Sequence, residues 1–234
     1  MSEYIFIGGS HGIAEASIRL LLQRDAQARV HLYSREVGPW ASEKRVVWHC
    51  FDAVNSEELN VSEVNFAQFR GLVYAPGSLQ LKPFTSLKLE DFRKDFEVNY
   101  FGCVRVLQTV IAQAKLSTLS PSFVMFSTVA AFRGLPMHTS IASSKAALEG
   151  LSRSLAAEYA PRMRFNCVAP SLTDTPLAQP ITSREASRKI SEERHPLKRL
   201  GTSNDVAHAV DFLLSDASSW MSGQVLRPDG AMSL

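Results

Sequence analysis

Cysteine is scarce in this sequence of 234 residues, which contains only Cys50, Cys103 and Cys167. The three are far apart and odd in number, and they form no CxxC motif. This pattern predicts buried, reduced thiols rather than a disulfide framework. No Cys/His pair has the spacing of a zinc site, so we expect no bound metal.

The sequence also has no large excess of charge of either sign. The 25 basic and 23 acidic residues nearly balance, and no run of five like charges occurs. Nucleic-acid-binding domains usually carry a clustered basic surface, so we expect no nucleic-acid partner. No apolar stretch approaches the roughly 18 residues of a membrane span, and the first residues lack the basic segment of a secretory signal. These absences predict a cytoplasmic protein with no membrane partner.

Short apolar segments alternate with helical patterns from end to end of the chain. The predicted strands are Tyr4–Ile7, Val30–Tyr33, Val46–Cys50, Gly71–Ala75, Phe123–Phe126, Arg164–Val168 and Gln224–Arg227. The predicted helices are a segment that ends at about Gln23, then Leu89–Lys115, Ser140–Tyr159 and Asn204–Leu214. This alternation indicates βαβ units. It predicts an α/β fold with a doubly wound parallel sheet and helices on both faces.

No Gly/Ser/Pro-rich linker interrupts the alternation, so we expect a single domain over residues 1–234. The least regular stretch lies at about residues 171–200 and contains Pro176, Pro180 and Pro196. Long loops in compact domains usually have a function. We expect this segment to form a substrate lid over the mouth of the sheet.

A glycine-rich turn, Gly8-Gly9-Ser10-His11-Gly12, joins the first predicted strand to the first predicted helix. Glycines let the backbone approach phosphates, and a helix N-terminus offers free N–H groups and the positive end of the helix dipole. The turn therefore predicts a pyrophosphate site of the Rossmann type. A tight turn without a ligand is the alternative.

Several motifs in the same order resemble the short-chain dehydrogenase/reductase family. Gly8, Gly12 and Ile13 match its glycine motif, with Ala14 at the third glycine. The other matches are Asp52, Tyr74-Ala75-Pro76-Gly77, Asn99, Ser127-Thr128, Lys145, Ala169-Pro170-Ser171-Leu172-Thr173, and segments 196–201, 205–207 and 229–231. The resemblance implies an oxidoreductase that moves a hydride between a nicotinamide dinucleotide and a small carbonyl or alcohol substrate.

The resemblance also implies where the dinucleotide would bind. Asp52 matches the residue that contacts adenine, and Pro170 and Thr173 belong to the segment that holds the nicotinamide carboxamide. The whole implied cofactor set is Gly8, Ser10, His11, Gly12, Ile13, Ser34, Arg35, Asp52, Ala75, Gly77, Lys145, Pro170 and Thr173.

The end of the second predicted strand favours NADP(H) over NAD(H). An acidic residue there would bind the ribose 2′-hydroxyl, whereas an arginine suits a 2′-phosphate. Here Ser34-Arg35 follows the strand, and His11 is placed to add positive charge. The alternative is that Arg35 is an ordinary solvated loop residue.

The tyrosine of the family's Tyr-x-x-x-Lys motif is missing. Ile141 stands four residues before Lys145 and 13 residues after Thr128, the family spacing from its serine to its tyrosine. The family uses that tyrosine as the proton donor. The resemblance leaves Thr128 to hold a substrate oxygen, Asn99 to retain a water, and Lys145 to bind the nicotinamide ribose.

Another group would then have to supply the proton. His138 lies three residues upstream, and an imidazole titrates in a suitable range, so we assign it to the catalytic set. Ser143 and Ser144 are poor acids, and Tyr74 and Tyr100 are expected to pack. The alternative for His138 is an ordinary loop residue.

Three functions remain open at this point. The first is an NADP(H)-dependent oxidoreductase with a non-standard proton donor, the second an impaired NADP(H)-binding sensor or partner subunit, and the third a reductase of an activated imine or alkene. The resemblance also implies a homodimer or homotetramer formed through the two long helices. Val104, Leu107, Val110 and Ile111 are candidates for that face or, alternatively, for the core of the monomer.

Overall fold

A parallel sheet of seven strands forms the centre of the molecule. The computed structural model describes residues 1–56 and 58–234. The strands are β1 Ser2–Ile7, β2 Ala28–Ser34, β3 Val46–Cys50, β4 Phe69–Tyr74, β5 Ser122–Phe126, β6 Arg164–Val168 and β9 Val225–Leu226. Their order is β3-β2-β1-β4-β5-β6-β9, and every neighbouring pair is parallel. A separate parallel pair joins β7 Thr173–Asp174 to β8 Gly201–Thr202.

Helices cover both faces of the sheet. They are α1 Gly12–Arg24, α2 Leu89–Phe96, α3 Gly102–Ala114, α4 Val129–Arg133, α5 Thr139–Tyr159, α6 Gln179–Thr182, α7 Glu185–Arg194 and α8 Ser203–Leu214. Strands of a parallel sheet are buried on both sides, and alternate residues supply two cores. Ile5 and Ile7 pack with α3 and α5, whereas Tyr4 and Phe6 pack with α1 and α8. The predicted doubly wound α/β fold is confirmed.

The predicted helix Leu89–Lys115 contains a π-helical turn. Glu97–Phe101 forms that turn between α2 and α3. A π-turn adds a residue to the helix and is common at functional sites. The turn carries Asn99, which is fully buried, so the irregularity falls at a residue of the expected catalytic set.

The face expected to join subunits is partly an internal face. Leu107, Val110 and Ile111 are buried in the core of this chain. They pack inward because α3 turns its apolar stripe to the sheet, so of the two alternatives for these three residues the structure favours the core of the monomer. Within the described residues, no helix is long and apolar enough to cross a lipid bilayer.

Two of the three cysteines are buried as predicted. Cys103 and Cys167 lie in the core, but Cys50 is exposed. Cys50 ends β3, which is an edge strand and has only one neighbour in the sheet. The expectation of burial is therefore wrong for Cys50. In the part of the chain that the structure describes, no three His, Cys, Asp or Glu side chains are grouped to hold a metal ion.

Candidate active site

The glycine turn between β1 and α1 has the backbone geometry of a phosphate-binding loop. Gly8 and Gly12 have φ values of 75° and 69°, in the region that favours glycine. The Gly8 N–H donates to Tyr33 O at 2.8 Å, which anchors the turn to β2. Helix α1 begins at Gly12, so Ile13 lies in the first turn, where backbone N–H groups have no partner within the helix. The loop can therefore present donors to an anion.

A tryptophan that the sequence analysis did not select supports this turn. Trp40 is buried, and its Nε1–H donates to Gly9 O at 2.8 Å. Gly38, two residues earlier, passes so close to Ser10 that an added Cβ would lie 2.6 Å from Ser10 O. The loop that follows β2 thus packs directly beneath the phosphate turn. The Gly38-Pro39-Trp40 segment was the available sequence signal.

This loop and the glycine turn together contain the residues expected to recognise the adenosine end of the cofactor. Arg35 is exposed directly after β2, and His11 is exposed at the N-cap of α1. The hydroxyls of Ser10 and Ser34 both donate to Glu36 O at 2.6 Å. Ser34 is also buried, so a phosphate contact from its hydroxyl requires that hydrogen bond to open. Arg35 is the accessible cation at this point.

Asp52 lies just beyond β3, where its carboxylate closes a turn. It accepts the Val54 N–H at 2.9 Å and the Asn55 side-chain amide at 3.0 Å. The Val54 hydrogen bond, followed by the Asn55 contacts and the charge of Arg35, holds the pKa of Asp52 below its usual range. The carboxylate is therefore ionised and half-buried beside the Arg35 loop.

Gly77 lies beside the π-turn and α5, and Ala75, two residues earlier, lies beside the glycine turn. A Cβ built on Gly8 would lie 3.6 Å from Ala75 Cβ, which places the strand end against the phosphate turn. A Cβ on Gly77 would lie 3.5 Å from Asn99 Oδ1 and 3.6 Å from Lys145 Nζ. Only a glycine leaves this space open between the amide oxygen and the amine.

Lys145 is almost fully buried on α5. Its burial lowers the pKa from an ordinary value of 10.5 to about 8, although Cys103, Cys167 and Asp95 oppose the change. An amine with a pKa this close to neutrality can give or take a proton under physiological conditions. Lys145 therefore has acid–base capacity in addition to its charge.

A second group of polar residues joins this site from α2. Asp95 is 1% exposed, and its Oδ1 accepts the Ser78 hydroxyl at 2.6 Å. Asn99 Nδ2 donates to Ser78 Oγ at 2.8 Å and to Asp95 O at 2.7 Å. The sequence analysis missed Asp95 and Ser78. Asp95 stands one helical turn before Asn99, and that spacing was the signal.

Thr128 follows β5, and the segment after the neighbouring strand β6 packs against the residue that follows it. Thr128 is the N-cap of α4, and its Oγ1 accepts the Ala130 N–H at 3.3 Å. An acceptor role leaves the hydroxyl hydrogen free to donate to a substrate oxygen. Pro170 O accepts the Val129 N–H at 3.1 Å, and the buried Thr173 hydroxyl donates to Ser171 O at 3.0 Å.

Ile141 stands where the resemblance to the family places a tyrosine, and its side chain is apolar. Ile141 is 4% exposed in the first turn of α5. The Ser143 and Ser144 hydroxyls donate to the helix carbonyls of Thr139 and Ile141, at 2.7 and 3.0 Å. Their protons are thus engaged within α5.

The remaining candidate acids differ in accessibility. Tyr74 is buried and donates to Val98 O at 2.6 Å, and burial raises its pKa well above the ordinary value. The raised pKa makes Tyr74 a weaker acid than an ordinary tyrosine, and its proton is held by Val98 O. Tyr100 packs edge-on against Phe96 and Phe101. His138, the N-cap of α5, donates from Nδ1 to Pro136 O at 2.7 Å, which leaves Nε2 as its reactive nitrogen.

The segment expected to be a lid has secondary structure of its own. It contains β7, α6 and α7, and it returns to the domain through β8. His195 is buried and accepts the Ser171 hydroxyl at Nε2, at 2.8 Å, while its Nδ1 donates to Ser191 O at 2.7 Å. Thr175 at the start of the segment lies 3.7 Å from a Cβ built on Gly12. The segment therefore begins directly against the phosphate turn.

Comparison with known proteins gives consistent matches over the full length. A family model described as enoyl-(acyl carrier protein) reductase matches residues 9–233. A tropinone reductase homolog of Arabidopsis thaliana is 30% identical over 242 residues, which cover 97% of this chain and 91% of that protein.

Two solved structures are also similar to this chain over nearly its whole length. The structure of ElxO with NADP bound has a TM-score of 0.89 and 25% identity over 99% of both chains. A protein of Beutenbergia cavernae, assigned as an NAD(P)-dependent gluconate 5-dehydrogenase with NADP at low occupancy, has a TM-score of 0.88 and 25% identity. That match covers 99% of this chain and 96% of the other.

Proposed function

Because this chain belongs to the short-chain dehydrogenase/reductase family, we propose that it is an NADP(H)-dependent oxidoreductase acting on a carbonyl or alcohol. The observation that carries this proposal is the segment Ala75-Pro76-Gly77. A Cβ built on Gly8 would lie 3.6 Å from Ala75 Cβ, and one built on Gly77 would lie 3.5 Å from Asn99 Oδ1 and 3.6 Å from Lys145 Nζ. One continuous site thus links an anion-binding loop to an acid–base group.

The residues present fit a nicotinamide dinucleotide. The open space at Gly8 and Gly12 and the start of α1 suit its pyrophosphate, and Arg35 suits a 2′-phosphate. Lys145 would hold the nicotinamide ribose, with Ala75, Gly77, Pro170 and Thr173 around the nicotinamide end. When bound, the cofactor supplies or accepts the hydride.

The protein supplies orientation and proton control. Thr128 would donate a hydrogen bond to the substrate oxygen, and Asn99 would hold the polar groups beside Lys145 in place. His138, at the N-cap of α5, is a candidate proton donor; because its Nδ1–H is held by Pro136 O, it would donate from Nε2 as the doubly protonated imidazolium. Segment 171–200 would act as the lid over the bound substrate.

Cofactor choice is the first experimental test. We expect NADPH and NADP⁺ to bind the purified protein more tightly than NADH and NAD⁺ in a fluorescence or calorimetric titration. Arg35→Ala should weaken NADPH binding about 10- to 100-fold, because a charged hydrogen bond contributes roughly 1.5–3 kcal/mol, and it should leave NADH binding unchanged.

Arg29→Ala provides the matched control, since Arg29 lies near the start of β2, whereas Arg35 follows the end of that strand. An equal loss for NADPH and NADH in Arg35→Ala would contradict the 2′-phosphate role. NADPH oxidation with a panel of aldehydes and ketones then tests the activity itself.

An NADP(H)-binding sensor or partner subunit is the second candidate function. The buried Ile141, at the position of the family's proton donor, favours it. General acid catalysis typically contributes 10²- to 10⁴-fold in rate, so the loss of one donor is large. Tight NADPH binding without turnover of any carbonyl would support this second function.

We also propose that the protein is a homodimer or homotetramer in the cytoplasm. Leu89 and Phe101 are exposed on the long helical segment that includes α2 and the π-turn. Burial of these side chains against a second copy would remove apolar surface from water. Sedimentation velocity at micromolar concentration should give a coefficient above that of a monomer, and a monomeric value would contradict assembly.

A further inference from the structure

The side-chain amide of Asn99 is held in one direction. Asn99 is fully buried in the π-turn, and its Nδ2 donates to Asp95 O at 2.7 Å and to Ser78 Oγ at 2.8 Å. A backbone carbonyl only accepts hydrogen bonds, so the NH2 end of the amide must face Asp95 O. A flipped amide would bring two oxygens together with no hydrogen between them.

The carboxyl group of Asp95 decides whether Ser78 donates to the amide or accepts from it. Asp95 is 1% exposed, and its Oδ1 accepts the Ser78 hydroxyl at 2.6 Å. A serine hydroxyl has a single proton, so Ser78 Oγ can then only accept from Asn99. Both hydrogens of Asn99 Nδ2 are therefore engaged.

The amide oxygen of Asn99 is left at the gap beside Gly77. A Cβ built on Gly77 would lie 3.5 Å from Asn99 Oδ1 and 3.6 Å from Lys145 Nζ, so an acceptor and an amine border the same gap. Among residues 1–56 and 58–234, Asp95 Oδ2 and Asn99 Oδ1 are buried without a hydrogen-bond partner. Buried polar groups are normally satisfied. An open oxygen at this gap is therefore suited to receive a donor from a bound group.

Resting on the proposed oxidoreductase function, we propose that Ser78 and Asp95 are positioning residues, which lock the Asn99 amide with its oxygen toward the gap that Lys145 also borders. A hydroxyl of a bound substrate or cofactor can donate to this oxygen. A flipped amide would present an N–H donor there instead, and such a hydroxyl would lose its acceptor.

Two separate parts of the chain build this lock. Ser78 lies in the loop after β4, whereas Asp95 and Asn99 lie one helical turn apart across the junction of α2 and the π-turn. The Gly102 N–H donates to Glu97 O, five residues earlier, which is the hydrogen-bond register of a π-helix. The irregular turn thus carries Asn99, and the loop after β4 holds its amide in place.

Hydrogen exchange of the Asn99 side chain tests the lock without any cofactor. In ¹⁵N-labelled protein, the two Nδ2 hydrogens, assigned through Asn99→Ala, should exchange slowly because both are buried and hydrogen-bonded. Ser78→Ala removes one acceptor and should speed their exchange about five- to tenfold, the equivalent of one hydrogen bond. Ser78→Thr keeps the hydroxyl and should restore slow exchange.

Gln80→Ala is the matched control. Gln80 lies two residues after Ser78 and donates to Asp91 Oδ1 at 2.7 Å, so it joins the same loop to α2 through a different carboxylate. Its removal should leave the exchange of the Asn99 amide unchanged. Unchanged exchange in Ser78→Ala, or an equal rise in Gln80→Ala, would overturn the lock.

A double-mutant cycle tests whether Ser78 acts through Asn99 in the reaction. The probe is NADPH with 4-nitrobenzaldehyde. Ser78→Ala should lower kcat about five- to tenfold, and the Kd of NADPH should change less than about twofold, because the phosphate turn and Arg35 are intact. In the Asn99→Ala background, Ser78→Ala should cause no further loss, since no amide is left to position. Additive losses would show a general effect on structure and would overturn the proposal.

Variants of Asp95 test its part in the lock. Asp95→Ala frees the Ser78 hydroxyl to donate to the amide, and it should lower kcat about as much as Ser78→Ala does. Asp95→Asn keeps an acceptor oxygen for Ser78 and should retain most of kcat. A loss in Asp95→Asn as large as in Asp95→Ala would overturn the role of Asp95 as the acceptor.

NADPH binding separates this inference from the proposed function. If the wild type binds no NADPH or reduces no carbonyl, the proposed function fails and the role in catalysis fails with it, while hydrogen exchange still decides whether the amide is locked. If the wild type turns over and the cycle is additive, the oxidoreductase stands and the positioning role is overturned.

Discussion

Glu3→Ala is expected to lower the free energy of unfolding by about 3 kcal/mol, the cost of breaking a buried polar pair. Glu3 in β1 and His31 in β2 are both buried, and Glu3 Oε2 lies 2.7 Å from His31 Nε2. The alanine leaves His31 with an unpaired ring nitrogen in the sheet. For a chain of this size, the melting temperature should fall by roughly 6–12 °C.

The pair is part of a longer row of imidazoles. His31 Nδ1 lies 3.3 Å from His49 Nε2, so one consistent assignment has His49 donating to His31 and His31 donating to Glu3. Burial, with the nearby His31 as the second cause, lowers the pKa of His49. A neutral His49 maintains that direction of donation at pH 7.

Two further variants make the Glu3 measurement specific. Glu3→Gln keeps an acceptor oxygen for His31 and should cost about 1 kcal/mol, the net contribution of a typical hydrogen bond. Glu90→Ala removes an exposed pair with Arg93 and should change stability by less than about 0.5 kcal/mol. Thermal and urea unfolding give both values. Equal losses of unfolding free energy for Glu3→Ala and Glu90→Ala would show that the buried pair stabilises the fold no more than the exposed pair does.

Lys145→Met is expected to stabilise the cofactor-free protein by about 3 kcal/mol at pH 7. Burial holds the Lys145 pKa at about 8 in the folded protein, against an ordinary 10.5. Each pH unit between these values corresponds to about 1.4 kcal/mol, which the folded state loses by burying the ammonium. Methionine fills a similar volume without charge. The site therefore keeps its lysine at a cost to stability.

The sign of the pH dependence follows from the same two values. Below pH 8 the lysine is protonated in both states, and the full penalty is present. Between pH 8 and 10.5 the unfolded chain binds more protons than the folded one, so stability rises with pH. Above 10.5 the rise ends. Urea unfolding of both proteins at pH 7 and 10 should show the gain from Lys145→Met shrinking at the higher pH; a constant difference would contradict the buried charge.

Much of the fold could be predicted from local pattern. All seven predicted strands occur in the sheet, and Val46–Cys50 and Arg164–Val168 have the predicted bounds. The alternation of apolar segments and helical periods is a property of short windows of sequence. The glycine turn was equally visible, because its residue types and its place after a strand determine its backbone conformation.

The surface that each long helix packs against was harder to predict from the sequence. An apolar stripe such as Leu107, Val110 and Ile111 has the same pattern whether it faces a sheet or a second subunit. The structure assigns it to the sheet. Segment 171–200 was also hard to predict, since its prolines indicated irregular chain, whereas α6 and α7 form within it.

The sequence by itself determined the fold class, the glycine turn after β1, and the spacing of Ile141 from Thr128 and Lys145. Only the tertiary structure decided which polar side chains meet in the interior. Ser78 and Asp95 are 17 residues apart in the chain, and Glu3 and His31 lie on different strands. Such contacts depend on how helices and strands pack across the core, and packing is a property of the whole chain rather than of any local pattern.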